Sequence, residues 1–171
     1  MKVSDLIAQW LAEKGIRHVF TVSGGADLHI IHSIWARDDI EIVCPQNEQS
    51  ASFMADCYAR LNGLGCALAT SGPGATNLIT GIAASYYDSV PVLYITGNQT
   101  RERMKNHGTR QYGFQAMPFV ELVKPITKYA ATIVDVDCVA NDLNKALSIA
   151  NSGRKGPVVI DIPDDVQRAS I

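Results

Sequence analysis

Charged residues and long apolar runs are both scarce in this sequence, and each shortage excludes a class of protein. Asp, Glu, Lys and Arg make up 19% of the 171 residues, and the formal net charge is −2. So small a net charge argues against nucleic acid or a membrane surface as partner. No apolar run approaches the roughly 20 residues that span a bilayer. The first residues are amphipathic and interrupted by Gln9 and Glu13, so we expect no signal peptide and a cytoplasmic protein.

Several motifs of cofactor and disulfide chemistry are also missing. The sequence contains neither GxGxxG nor GxxxxGK[ST], the fingerprints of a dinucleotide-binding Rossmann domain and of a P-loop. The cysteines show no CxxC spacing, which predicts buried free thiols in a reducing compartment rather than a disulfide framework or a zinc site. They are Cys44, Cys57, Cys66 and Cys138.

The histidines do not predict a metal site. His29 and His32 stand at i and i+3 on a predicted helix, but no third ligand is evident, so packing or surface roles are favoured. His107 lies in a long polar loop, where nothing requires it to bind a ligand. We expect no metal to be held by this chain.

Helical and strand patterns alternate along the whole chain. Short, continuously apolar runs such as HVFTV, CALATS and PVLYIT are separated by segments of helical periodicity. This alternation predicts one α/β domain with a doubly wound, mostly parallel sheet of about six strands and helices on both faces. Ser4 is predicted to cap the first helix, and Asp137 the helix near the C-terminus.

Polar or glycine-rich turns follow four of the predicted strands. They are SGGA, CPQNEQ, TSGPGATN and TGNQ. Ligands of such sheets bind beyond the carboxyl ends of the strands. We therefore expect the strand ends at Val22, Cys44, Ser71 and Thr96 to meet at one edge and to form a binding site there.

Glu48, at the join between a predicted strand and the next helix, has two interpretations. Asn47 can cap that helix, and a carboxylate in the first turn is favoured by the helix dipole. Alternatively, a carboxylate at the carboxyl end of a strand is placed to handle a proton. Spacing alone favours the structural interpretation.

Taken together, several stretches resemble one family. They are VSGGADLHIIHSI, CPQNEQSASFMADCYARLNG, ATSGPGATNLITGIAASYYDSVPVLYITG and RQYGFQ…VKPITKYA. The family is that of the thiamine-diphosphate enzymes of the acetolactate synthase type, and the resemblance covers nearly the whole chain. Its members have a pyrimidine-binding domain, a central domain and a diphosphate-binding domain, the last with a GDG…N magnesium motif.

No GDG occurs in this chain. The resemblance therefore implies that residues 1–171 are the domain that binds the aminopyrimidine of thiamine diphosphate. It also implies that the central and diphosphate-binding domains are absent from this chain, so that magnesium is ligated outside it. A truncated chain and one subunit of a split enzyme both stay open.

The resemblance also assigns roles to individual residues. Glu48 occupies the position of the glutamate that hydrogen-bonds N1′ of the aminopyrimidine, and there it shares the proton that activates the cofactor. Phe114 and Gln115 match a Phe-Gln pair beside the reacting centre, which makes Gln115 a second catalytic candidate. The other implied cofactor-binding residues are Gly25, Ala26, Pro73 and Asn77.

Two positions depart from the family pattern. The family often has histidine where this chain has Asn47, and usually glutamate where it has Ala116. The first change leaves the N1′ contact in place, and the effect of the second on substrate choice stays open.

The implied function is that of an enzyme that decarboxylates a 2-keto acid. Carboligation to acetolactate, by transfer of the resulting carbanion to an acceptor, and simple decarboxylation both stay open. The expected partners are the diphosphate-binding domain of another subunit, a small 2-keto acid and a second copy in a homodimer. The isolated domain is expected to be inactive. The alternative is a non-catalytic, stand-alone interaction module of the same fold.

Overall fold

A computed structural model describes residues 1–105 and 108–171, so His107 lies outside the described residues. The described residues form one six-stranded sheet in which every pair of neighbouring strands is parallel. The strands are β1 (His18–Val22), β2 (Glu41–Val43), β3 (Gly65–Ala69), β4 (Val92–Asn98), β5 (Tyr129–Thr132) and β6 (Val158–Pro163). Their order across the sheet is β2-β1-β3-β4-β6-β5, which confirms the predicted parallel sheet.

Helices connect the strands, as a parallel sheet requires. They are α1 (Val3–Glu13), α2 (Leu28–Trp35), α3 (Glu48–Asn62), α4 (Pro73–Asn77), α5 (Ile79–Tyr87), α6 (Arg101–Met104), α7 (Phe119–Val123), α8 (Val139–Asn151) and α9 (Asp164–Gln167). None of these helices in the described part of the chain is long and apolar enough to cross a membrane.

The two faces of the sheet pack against different helices, and each face has its own core. On one face α1, α2, α8 and α9 cover side chains such as Val19 and Leu68. On the other face α3, α4, α5 and α7 cover Phe20 and Ala69. Because successive side chains of a strand point to opposite faces, the four inner strands β1, β3, β4 and β6 are buried on both sides. This double burial explains their continuous apolar sequence and confirms the doubly wound arrangement.

Two predicted helix caps and part of the cysteine prediction are wrong. Helix α1 begins at Val3, and Ser4 is buried in it with its Oγ 2.9 Å from Ser33 Oγ. Near the C-terminus α8 begins at Val139 without a capping side chain, and Asp135 instead caps the 3-10 turn Val136–Cys138 by accepting a hydrogen bond from the backbone of Asp137. Packing between α1 and α2 thus takes Ser4 into the interior.

The cysteines are unpaired, but only one of them is deeply buried. Cys66 lies in β3 and is buried in the core that also contains Val19 and Leu68. Cys44 and Cys57 are exposed, because Cys44 follows the edge strand β2 and Cys57 lies on the solvent side of α3. The expectation of buried thiols therefore fails at these two positions.

The strand register places the predicted binding loops at one edge. Val22 pairs with Ala69, and Ala69 pairs with Thr96, at the carboxyl ends of β1, β3 and β4. From β1 the chain turns outward to β2, and from β3 it continues in the opposite direction. The gap between β1 and β3 is therefore a topological switch point, where ligands of doubly wound sheets bind.

Candidate functional site

Glu48 lies beside this switch point as the first residue of α3. The helix is capped by Asn47, whose Oδ1 accepts a hydrogen bond of 2.8 Å from the Gln49 backbone N–H. Because Asn47 performs the capping, the Glu48 carboxylate is not needed for it. Only 9% of the Glu48 surface is accessible to solvent. Its Oε2 accepts a hydrogen bond of 2.8 Å from Asn77 Nδ2.

The Gly72–Pro73–Gly74 turn brings α4 against Glu48. Gly72 has φ +63°, a conformation that glycine adopts without strain. A Cβ on Gly74 would lie 2.8 Å from Thr70 Cγ2 and 3.3 Å from Glu48 Oε1. Glycine at this position therefore lets the turn approach the carboxylate, and Asn77 at the end of α4 reaches it.

The loop after β1 is fixed from several sides. The Ala26 N–H donates a hydrogen bond of 3.1 Å to Thr70 Oγ1, and the Gly24 N–H donates one of 2.9 Å to Asp27 Oδ1. At Gly25, by contrast, a Cβ would meet no atom within 4 Å. The loop is thus held at both ends and presents bare backbone to open space in its middle.

That space is a cavity of about 250 Å³ whose walls include Gly25 and Ala26. Phe114 and Gln115 line its other side. A neighbouring, more open depression of about 320 Å³ is lined by Pro73 and, again, by Gln115. Gln115 separates the two spaces and has φ +56°, which is uncommon for a residue with a side chain.

Strained backbone of this kind often marks a functional position. At Gln115 the strain accompanies a close approach, since a Cβ on Gly72 would lie 2.4 Å from the Gln115 carbonyl oxygen. Gly72 and Gln115, both with positive φ, therefore pack closely against each other between β3 and the long loop. This contact fixes the position of the Gln115 side chain.

The structure brings the predicted site residues together in two groups. Gly25, Ala26, Phe114 and Gln115 share the cavity, whereas Glu48 and Asn77 contact each other and line neither that cavity nor the depression beside it. Pro73 lies between the groups, in the turn that runs from β3 to α4.

Two further residues belong to this edge and were missed by the sequence analysis. Thr70 was seen only as part of a turn, yet it receives the Ala26 N–H. Asp27 was seen only as a loop residue beside SGGA, yet its side chain is fully buried. The signal for Asp27 was present, since an acidic residue follows the Gly-Gly-Ala turn and directly precedes the apolar helix α2.

Two buried carboxyls at this edge have perturbed acidity. Burial, chiefly, together with the nearby Glu48 charge raises the pKa of Asp27 to about 7, although the Gly24 N–H favours its ionised form. Burial also raises the pKa of Asp161 in β6, against the effect of hydrogen bonds from Asn98, Thr96 and Thr132. Carboxyls with perturbed pKa values in clefts are candidates for function. The hydrogen-bond partners of each carboxyl show whether it has a structural or a functional role.

Known proteins contain the same arrangement of motifs. The family model described as thiamine pyrophosphate enzyme, N-terminal TPP binding domain, matches residues 1–121. Acetolactate synthase 2, chloroplastic, of Nicotiana tabacum is 40% identical over 168 residues, which is 98% of this chain and 24% of that protein. Acetolactate synthase large subunit of Haemophilus influenzae is 39% identical over 163 residues, 95% of this chain and 28% of that protein. The chain thus spans about a quarter of the length of these relatives.

Proposed function

Because the chain belongs to the family of thiamine pyrophosphate enzymes, as their N-terminal TPP-binding domain, we propose that it supplies the aminopyrimidine site of an acetolactate-synthase-like enzyme. The complete enzyme decarboxylates a 2-keto acid and transfers the resulting carbanion to an acceptor. The observation that carries the proposal is the free Glu48 carboxylate at the β1/β3 switch point, which is oriented by Asn77 and relieved of capping by Asn47.

The residues at this edge fit the proposed cofactor. Glu48 Oε2 is held by Asn77, while Oε1, next to Gly74, has no hydrogen-bond donor among the described residues. A carboxylate with one oriented oxygen and one free oxygen suits a ring nitrogen that shares a proton. The open space at Gly25 and the depression beside Pro73 leave room for a flat ring against bare backbone.

Each residue then has a definite task in the proposed enzyme. When bound, thiamine diphosphate supplies the electron sink that accepts the electron pair left when a 2-keto acid loses CO2. Glu48 holds or releases a proton at N1′ of the aminopyrimidine, and Asn77 keeps its carboxylate in place. Gln115, fixed by its interlock with Gly72, presents its amide to the substrate in the cavity, and Phe114 restricts water there. The names of the relatives support transfer to an acceptor over simple decarboxylation.

The diphosphate and its magnesium are held, in this proposal, by the diphosphate-binding domain of another subunit. Apolar side chains exposed on α3 and α5, which cover the same face of the sheet, support such a partner. On α3, Phe53 and Met54 are 40% and 38% exposed, and Leu61 is 87% exposed. At the end of α5, Tyr87 is 70% exposed. In the absence of that domain, we propose that these faces pair two copies of the chain in a homodimer.

The decisive experiment is Glu48→Gln in the complete or reconstituted enzyme. Glutamine keeps the size and the contact with Asn77 but cannot share an acidic proton, so exchange of the cofactor C2 hydrogen for deuterium should slow by ~10²–10⁴-fold. Glu121→Gln is the matched control, since Glu121 is an exposed carboxylate paired with Lys124. Unchanged exchange in Glu48→Gln would leave Glu48 as a helix residue and sink the proposal.

The isolated chain offers a second test. Purified residues 1–171 should not decarboxylate pyruvate with added thiamine diphosphate and magnesium, because the proposed diphosphate anchor lies elsewhere. Addition of the partner domain should restore turnover. A partner that binds the chain without producing turnover would favour a non-catalytic interaction module.

A further inference from the structure

Asp27 occupies an unusual position below the loop that carries Gly25 and Ala26. It is fully buried, and its Oδ1 accepts the Gly24 N–H at 2.9 Å. Its other oxygen, Oδ2, is equally buried and has no hydrogen-bond partner among the described residues. An unpaired buried carboxylate oxygen is costly, so the surroundings of Oδ2 must account for it.

Gln167 on α9 also has a buried acceptor without a hydrogen-bond donor. Its Nε2 donates to two carbonyl oxygens, Ala26 O at 2.7 Å and Ile162 O at 2.8 Å. These two acceptors settle the orientation of the amide, because the reverse orientation would set oxygen against oxygen. The buried Gln167 Oε1 is then left without a donor in the described structure.

The unpaired atoms of Asp27 and Gln167 lie on the same side of the sheet. Gln167 binds the carbonyl of Ala26, the residue directly before Asp27, and α9 packs against α2 and β6. The Thr21 hydroxyl, also buried and unpaired, belongs to the same face because Thr21 is two residues from Val19 in β1. Asp27 and Gln167 therefore each leave a buried acceptor unpaired on this face, where Gln167 holds the Ala26 carbonyl.

The donors and acceptors of this group do not balance if Asp27 is ionised. Asp27 Oδ2 and Gln167 Oε1 are then both pure acceptors, and the Thr21 hydroxyl donates to neither of them. A proton on Asp27 supplies the missing donor. The burial that raises the pKa of Asp27 to about 7 agrees with this count but is a separate consequence of the same environment.

The surrounding charges also favour the neutral acid. Among the described residues no cation contacts Asp27, and the Glu48 charge disfavours a second ionised carboxyl. Three other charged groups near these elements lie in ion pairs, His29 and Arg168 with Asp164, and Arg101 with Asp165. On β6, Asp161 accepts hydrogen bonds from Thr96, Asn98 and Thr132. On α2, His32 is exposed to solvent.

We propose that Asp27 is a positioning residue that carries a proton and donates it in a hydrogen bond to Gln167 Oε1. That bond fastens the Gly24–Ala26 loop to α9, while Gln167 holds the same loop through the Ala26 carbonyl. Ionisation of Asp27 sets two buried acceptors against each other and loosens the loop. The consequence for cofactor binding rests on the proposed function, whereas the proton on Asp27 does not.

The first test uses residues 1–171 without cofactor. The wild-type chain should unfold more readily as the pH rises from about 4 to 7, because the folded state keeps a proton that the unfolded state releases. The unfolding constant should gain up to about tenfold per pH unit relative to Asp27→Asn, in which the amide donates permanently. Asp27→Ala should be less stable than Asp27→Asn at every pH, and Asp38→Asn, at an exposed carboxylate, should keep the wild-type slope.

A second measurement needs no variant. The Gly24 amide donates to Asp27 Oδ1, so its NMR resonance should titrate with a midpoint near 7. A Gly24 resonance that does not move between pH 5 and 9 would overturn the proposal, as would an Asp27→Asn slope equal to that of the wild type.

A third measurement separates the protonation of Asp27 from its effect on cofactor binding. In the assembled enzyme, the affinity for thiamine diphosphate should fall above pH 7 for wild type and stay level for Asp27→Asn. If the unfolding slope and the Gly24 titration appear but affinity does not follow them, the protonated Asp27 stands and its link to cofactor binding is overturned.

Discussion

Asp161 and Glu48 are carboxylates at the same edge of the sheet, and their surroundings are opposite. Asp161 accepts hydrogen bonds from Thr96 at 2.7 Å, Asn98 at 2.8 Å and Thr132 at 3.2 Å. Glu48 accepts one, from Asn77. The β4–β6–β5 region thus satisfies its carboxylate completely, whereas the β2–β1–β3 region leaves an oxygen available.

Neither cavity size nor burial singles out Glu48, the proposed site residue, over Asp161. A cavity of about 370 Å³ lies beside Asp161, larger than the 250 Å³ cavity beside Gly25. Asp161 is also the more buried of the two carboxylates. However, a carboxylate whose acceptor sites are filled by neighbouring strands joins those strands together, and one with a free oxygen can bind a ligand. The unfilled hydrogen-bonding capacity is what distinguishes Glu48.

The largest expected effect on stability is that of Asp161→Ala. This change leaves the donors of Thr96, Asn98 and Thr132 without their common acceptor, and the free energy of unfolding should fall by about 3 kcal/mol. Urea denaturation of the isolated chain measures it. Glu121→Ala, at an exposed ion pair, should change stability by less than about 1 kcal/mol. A loss for Asp161→Ala no larger than that of the control would remove the contrast between the two regions.

A smaller effect is expected where the two regions meet, at Gly97 of β4. A Cβ there would lie 1.9 Å from the Ala26 carbonyl oxygen, so Gly97→Ala must displace the β1 loop and should cost about 1–3 kcal/mol. Gly25→Ala in the same loop points into open space and should cost about 0.5 kcal/mol or less. Equal thermal midpoints for the two variants would show that the loop is not held against β4.

Asn77→Ala should have a modest effect on folding. It removes one hydrogen bond from Glu48 at a position that is itself exposed, so the free energy of unfolding should fall by about 1 kcal/mol or less. In the assembled enzyme the same variant should slow exchange of the cofactor C2 hydrogen, because Glu48 loses its orientation. A large loss of stability with unchanged exchange would assign Asn77 to the fold rather than to the site.

Glu48→Gln should have the smallest effect on stability. Since Asn47 caps α3, the change removes only the favourable placement of a carboxylate at the helix start, worth at most about 1 kcal/mol. The thermal midpoint of the isolated chain should therefore stay close to that of the wild type, in contrast to Asp161→Ala. A fall as large as that of Asp161→Ala would make Glu48 a structural carboxylate too.

The sequence by itself determined most of the fold. Strand β1 has the bounds of the apolar run HVFTV, and Asn47 caps α3 as predicted, because apolar periodicity and turn residues act over a few neighbouring positions. The resemblance to a family singled out Glu48, Asn77 and Gln115 as site residues, and that assignment stays a prediction. Ser4 and Asp137 were misplaced as caps, and the short helix α6 falls in a segment predicted as loop, because helix ends also depend on what the helix packs against.

The tertiary structure alone decided how the site is held. Gln167 reaches the Ala26 carbonyl across 141 residues of sequence, and Asn77 reaches Glu48 across 29. The buried state of Asp27 and the interlock of Gly72 with Gln115 likewise depend on elements that meet only when the sheet is assembled. Local sequence determines whether a segment forms a helix, a strand or a turn. The hydrogen-bond partners and solvation of a side chain are set by distant segments. The chemistry of each carboxyl at this edge follows from those partners.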